Sequence, residues 1–103
     1  MNEDIIEYLK GNKAGDILIV EYDNGEIILK IQICSFLTGE AYDEELDEDV
    51  SFDACLSRII QIMGKSDERF EVGKLLEISK FTYPDKITNE NGDIIFEKKN
   101  RSR

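Results

Sequence analysis

The stretch Gly15-Asp16-Ile17-Leu18-Ile19-Val20-Glu21-Tyr22-Asp23-Asn24-Gly25-Glu26-Ile27-Ile28-Leu29-Lys30-Ile31-Gln32-Ile33-Cys34-Ser35-Phe36 decides the fold. It reads as a β-hairpin turning at Asn24-Gly25. A type I′ turn needs positive φ at both central positions, which Asn and Gly reach at least cost, and its twist matches that of the strands. The turn sets a register in which Tyr22 faces Ile27, Val20 faces Leu29 and Leu18 faces Ile31. These side chains share a wholly apolar face with Ile33. The opposite face, with Ile17, Ile19, Glu21, Ile28, Lys30, Gln32 and Cys34, is mixed. Turn chemistry and period-2 alternation therefore agree on one register.

On the N-terminal side, Asn2 to Lys10 reads as a short amphipathic helix. Asn2 is a cap, Glu3 and Asp4 complement the dipole, Ile5, Ile6 and Leu9 form a stripe, and Gly11 is the stop. So short a helix must dock to persist, and the mixed hairpin face around Ile17, Ile19 and Ile28 is the expected seat. On the C-terminal side, Thr38-Gly39 breaks the pattern. Glu40 to Asp49 then holds seven acids, Glu40, Asp43, Glu44, Glu45, Asp47, Glu48 and Asp49, and reads as a mobile acidic loop. Ser51 to Met63 fits a helix through Phe52, Leu56, Ile59, Ile60 and Met63, with Ser51 as N-cap and Gly64 at C′; its isoleucines would also suit a strand. Phe70 to Phe81 reads as a strand, and Tyr83-Pro84-Asp85 as a turn. Asn91-Gly92 repeats the first hairpin's device, pairing Lys86 with Glu97 and Ile87 with Phe96, Ile94 beside them. Residues 1–97 form one expected domain, and 98–103 a basic disordered tail.

The chain has 103 residues, 41% of them hydrophobic, enough for a packed core without staples. Its net charge of -10 is unevenly placed: residues 1–50 carry 14 acids and 3 bases, residues 51–103 carry 9 and 10. Such a surface repels phosphate backbones and anionic membranes and attracts basic partners. Asn2, Glu3 and Asp4 stand where a signal peptide's basic region would be, and no apolar run is long enough to span a bilayer. The two cysteines, Cys34 and Cys55, are expected reduced and buried in a cytoplasmic protein.

With no histidine, no Ser-His or Cys-His nucleophile pair exists within the chain. No Cys-x-x-Cys suggests zinc, and no glycine loop lies between a strand and a helix to cradle phosphate. Asp43, Glu45, Asp47 and Asp49 alternate as calcium-loop ligands do. An EF-hand, however, needs Gly sixth and Glu twelfth, where Glu48 and Ala54 stand. No cofactor, metal or catalytic residue is expected, and the chain is read as a non-enzyme.

A short helix, a strand, the Asp23-Asn24-Gly25 turn and a long second strand resemble the opening of Sm-like or SH3-like small barrels over Asn2 to Phe36. Sm-like proteins hold RNA with an Asp and Asn after the second strand and an Arg-Gly near the fourth. Leu37-Thr38-Gly39-Glu40 and Leu75-Leu76-Glu77-Ile78 supply neither. The expected fold is α+β: a small antiparallel sheet, curled or barrel-like, with an N-terminal and a middle helix. Its expected core is Leu18, Val20, Leu29, Ile31, Ile33, Leu56, Ile60, Leu76, Ile78 and Phe96. The expected function is a small acidic protein-binding module of inhibitor or immunity type. Its face, Glu40, Asp43, Glu44, Glu45, Asp47, Glu48 and Asp49, contacts a basic protein. The alternatives are a nucleic-acid-binding small barrel and a structural or assembly subunit, in which a homo-oligomer would use free strand edges.

Overall fold

The computed structural model describes residues 5–98. Six strands form one antiparallel sheet: β1 (Ile17–Tyr22), β2 (Ile27–Asp43), β3 (Glu48–Ile62), β4 (Leu75–Ser79), β5 (Lys86–Asn89) and β6 (Ile94–Glu97). Their order is β4-β3-β2-β1-β5-β6, so β5 returns to the side of β1 that β2 leaves free. The described residues contain no α-helix, only short 3-10 turns at Ile5–Leu9 and Asp23–Gly25. The fold is therefore an open β-sheet and not the expected α+β arrangement with two helices. No helix among these residues is long and apolar enough to cross a membrane.

The first hairpin has the expected register, with Tyr22 opposite Ile27, Val20 opposite Leu29 and Leu18 opposite Ile31. Three successive residues take positive φ, Asp23 at 53°, Asn24 at 57° (ψ 37°) and Gly25 at 90°, in a four-residue loop closed by the Glu26 amide donating to the Asp23 carbonyl at 3.2 Å. A Cβ at residue 25 would meet nothing closer than the Glu21 carboxylate at 3.4 Å, so the backbone conformation is what demands glycine. Gly25→Ala is expected to cost about 1–2 kcal/mol, read from urea unfolding. A loss below a few tenths would show that the turn relaxes.

The apolar face of that hairpin is the centre of the core. Leu18, Val20, Leu29 and Ile31 are fully buried, joined by Ile27, Ile33, Cys55, Ile59, Ile78 and Ile87. The N-terminal segment covers this same face with Ile5, Ile6 and Leu9, and not the mixed face around Ile17, Ile19 and Ile28. It is a 3-10 turn that touches β3, β4 and β6, so it contacts both edge strands of the sheet. The expected cap and dipole residues Asn2, Glu3 and Asp4 lie outside the described residues, as does most of the basic tail.

The middle segment is the main correction. Residues 51–62 belong to β3, which pairs with β2 along its whole length and with β4 from Ala54 to Arg58. Apolar spacing there also satisfies a helix, but Ile59, Ile60 and Ile62 are β-branched and the long ladder decides between the two. Ile59 and Cys55 point into the core, while Leu56 and Ile60 are only half-buried. Between the pairs Lys30–Gln61 and Ile31–Ile59 the register shifts, leaving Ile60 as the extra residue of a bulge. Gly64 is no helix stop. A Cβ there would lie 2.6 Å from the Glu26 carbonyl oxygen and 2.8 Å from the Ile28 nitrogen.

The expected strand over 70–81 shortens to β4, with Leu76 and Ile78 turned inward as the alternation requires. The last hairpin pairs Lys86 with Glu97 and Ile87 with Phe96. Its turn differs from the first: Gly92 is at positive φ (90°) and Asn91 is not. The Asn89 carboxamide oxygen accepts from the amides of Asn91 at 2.9 Å and Asp93 at 3.0 Å. A register shift after Ile87 puts Thr88 opposite Ile94, so Ile95 packs on the core while Ile94 is exposed.

Candidate protein-binding site

The acidic stretch is not a loop. Glu40 and Asp43 lie on β2, Glu44, Glu45 and Asp47 in the turn, and Glu48 and Asp49 on β3. Here the sheet narrows to two strands. The link into β1 follows β2 only as far as Ile33, which bonds to Gly15 and Asp16, and β4 begins pairing at Ala54. From Thr38–Asp53 to Asp43–Glu48, β2 and β3 have only each other for strand partners among the described residues.

A bare two-stranded ribbon is marginal in water, and Asp43 directly opposite Glu48 adds repulsion. It is held at its base and at its tip. At the base, the Phe52 ring lies over Gly39, where a Cβ would stand 3.0 Å from it, and packs edge-on against Phe81 at 4.9 Å. At the tip, one oxygen of Asp43 accepts from the amides of Glu45 at 2.9 Å and Leu46 at 3.3 Å. Asp47 takes the left-handed position at φ 55°, and the Tyr42 hydroxyl donates to its carboxylate. Local side-chain-to-backbone bonds of this kind close turns without apolar burial.

Strand alternation sorts the ribbon into two faces. Thr38, Glu40 and Tyr42, with their partners Asp53, Ser51 and Asp49, form one face. Asp53 shares its side of β3 with buried Cys55, so this acidic face continues the core side of the sheet into solvent. Gly39 and Ala41, with Phe52 and Val50, form a smaller apolar face behind it. Tyr42 and Leu46 are 57% and 59% exposed. Asp53, which accepts from the Thr38 hydroxyl at 3.1 Å, belongs with the expected acids although it lies outside their run. Only the cross-strand register brings it there.

A cleft of about 310 Å³ opens at the foot of the ribbon on this acidic side. Ile6, Lys10 and Asn12 form one wall; Phe36, Leu37, Thr38 and Asp53 form the other. A second cleft of about 550 Å³ is lined by Tyr22, Phe70, Phe81 and Tyr83 together with Arg69 and Lys98. Both cations are already engaged. Arg69 donates to Asp67 and to Asp23, each at 2.9 Å, and Lys98 stands 3.9 Å from Asp85. The guanidinium holds the Asp67 carboxyl below its usual range, chiefly by hydrogen bonding, and burial pushes the Tyr22 phenol up. Among the described residues no three metal-ligating side chains gather, in the acidic ribbon or elsewhere.

Both cysteines are free, with Cys55 buried and Cys34 exposed, against the expectation that both are buried. Burial, with a smaller contribution from Cys34, pushes the Cys55 thiol up to about 11. The thiolate is the reactive form, so at neutral pH a thiol reagent is expected to take up one equivalent rapidly at Cys34. The second equivalent should appear only on denaturation, as followed by mass spectrometry. Fast double labelling of the native protein would contradict the burial of Cys55.

Comparison of the chain with known protein families, curated proteins and solved structures finds no match.

Proposed function

We propose that the protein is a non-catalytic binding module whose projecting β2–β3 ribbon engages a basic protein partner in the cytoplasm. The observation that supports this reading is the placement of the acids. They lie on a ribbon that extends beyond the core, among few compensating cations, where a partner can reach them from either face. Charge concentrated this way steers association with a basic surface and repels nucleic acid and anionic membranes. It also gives an inhibitor a means of occupying a phosphate-binding site. The nucleic-acid alternative has less support: the cleft that combines aromatic rings with cations has both of its cations paired to carboxylates.

Replacing Glu40, Asp43, Glu44, Glu45, Asp47, Glu48 and Asp49 with Gln or Asn removes seven of the 23 acids. These side chains are largely solvated, so circular dichroism should show the sheet intact. Affinity capture from cell extract is expected to recover a basic protein with the native chain and to lose it with the variant, and salt should weaken the native capture. Equal capture by both chains would overturn the proposal.

A further inference from the structure

Acidity alone does not say how a partner is held, but the unpaired backbone of the ribbon does. On the side of β2 that faces β1, strand pairing stops at Ile33. From Cys34 to Asp43 that side has no strand partner among the described residues. Ten residues at about 3.4 Å each give a free edge on the order of 30 Å long. It lies in line with β1, in a sheet position that β1 fills for only part of its length. The other free edge, on β3, is shorter and is flanked at its base by the turn after β4, where Phe81 packs edge-on against Phe52. The β2 edge instead adjoins the 310 Å³ cleft, between Phe36 and Leu37 on one side and Ile6 and Asn12 on the other.

We propose that the edge of β2 from Cys34 to Asp43 receives an extended, lysine- or arginine-bearing segment of a partner protein as an added strand. This rests on the reading of the ribbon as a protein-binding element and adds the mode of holding. Main-chain groups would supply affinity and alternate side chains would supply specificity. On the cleft side of the sheet the segment meets Glu40 and, across the ribbon, Asp49 and Asp53, which call for basic residues at every second position. On the other side it meets Gly39 and Ala41, which suit small β-branched residues. An apolar residue at one end fits the cleft beside Phe36. A second copy of this chain fits poorly, because its own edge would bring Glu40 and Asp43 against the same acids; like charges on an edge guard against self-pairing.

The probe is a synthetic peptide, Val-Leu-Val-Lys-Val-Lys-Val-Lys, whose leucine shares the lysine side, titrated into the full chain and read by amide hydrogen exchange. It is compared with the same peptide N-methylated on alternate backbone amides. The expected result is slowed exchange at amides within 34–43, and binding at least about tenfold weaker once the main-chain donors are blocked. The triple variant E40Q/D49N/D53N should also bind more weakly. Equal binding of the methylated peptide would overturn strand addition while leaving the charge-based function standing. Protection confined to 48–53 would place the segment on β3 and overturn the assignment. Concentration-dependent protection of 34–43 in the absence of peptide would make a second copy the occupant and overturn it too. If neither peptide binds while the native chain still captures a basic protein in the acid-dependent way described above, the added strand is refuted and the binding module is not.

Discussion

Leu29→Ala is expected to remove about 2–5 kcal/mol of folding stability, the range for emptying a fully buried leucine site. Leu29 is 0% exposed and lies on β2 between Val20 of β1 and Ile62 of β3. The loss combines the transfer energy of the deleted carbons with the cost of a cavity. Both terms apply here, because backbone ladders on either side stop β2 from moving in to fill the space. Small domains hold roughly 5–15 kcal/mol in all, so the variant should sit near its unfolding threshold at 37 °C. Its melting temperature should fall by on the order of 10–20 °C. Urea unfolding measures it: a midpoint shift at unchanged slope worth less than about 1 kcal/mol would mean that the centre of the core is elsewhere.

Gly64→Ala is expected to cost about 1–3 kcal/mol although the new methyl group is small. The added carbon would meet backbone, not a movable side chain: the Glu26 carbonyl oxygen at 2.6 Å and the Ile28 nitrogen at 2.8 Å. The Gly64 amide donates to the Ile28 carbonyl at 3.2 Å and the Lys65 amide to the Glu26 carbonyl at 2.8 Å, so relief of the clash strains the bonds that tie the end of β3 to the start of β2. Thermal unfolding with the substitutions Gly11→Ala and Gly64→Ala side by side isolates the effect, since nothing stands within 4 Å of a Cβ at Gly11. Similar melting temperatures for the two variants would refute the close approach.

Gly64 also shows what the sequence does and does not disclose. A glycine after a run with helical spacing has the signature of a helix stop. The same glycine serves a close strand-to-strand approach, and only the partner strand, more than thirty residues upstream, tells the two apart. The first hairpin was legible because its information is local: Asn24-Gly25 sets the turn and the alternation around it sets the faces. The Ser51–Met63 segment was not, because its ladder runs to β2 and β4 and a period of 3.6 fits its apolar residues by coincidence. Asn91-Gly92 marked the right turn but not its geometry, because the Asn89 side chain supplies bonds that lengthen the loop.

Seven acids of the candidate site stand in one run of the sequence, since charge is a property of composition. Their arrangement was not legible there. Repulsion argued for a mobile loop, and the opposing terms, the Phe52–Phe81 contact and the Asp43 turn, come from residues outside the run or from geometry within it. Asp53 joined the site only through its pairing with Thr38.

The short 3-10 turn that spans both borders of the sheet has a consequence for the order of folding. Ile5, Ile6 and Leu9 lie on a turn that contacts β4 (Leu75–Ser79) and β6 (Ile94–Glu97), both far downstream in the sequence. During synthesis these side chains leave the ribosome before β4 and β6, which form part of their surroundings. Contacts of such long sequence separation form late and slowly, so the nascent chain holds an uncovered isoleucine pair until the β5–β6 hairpin is complete.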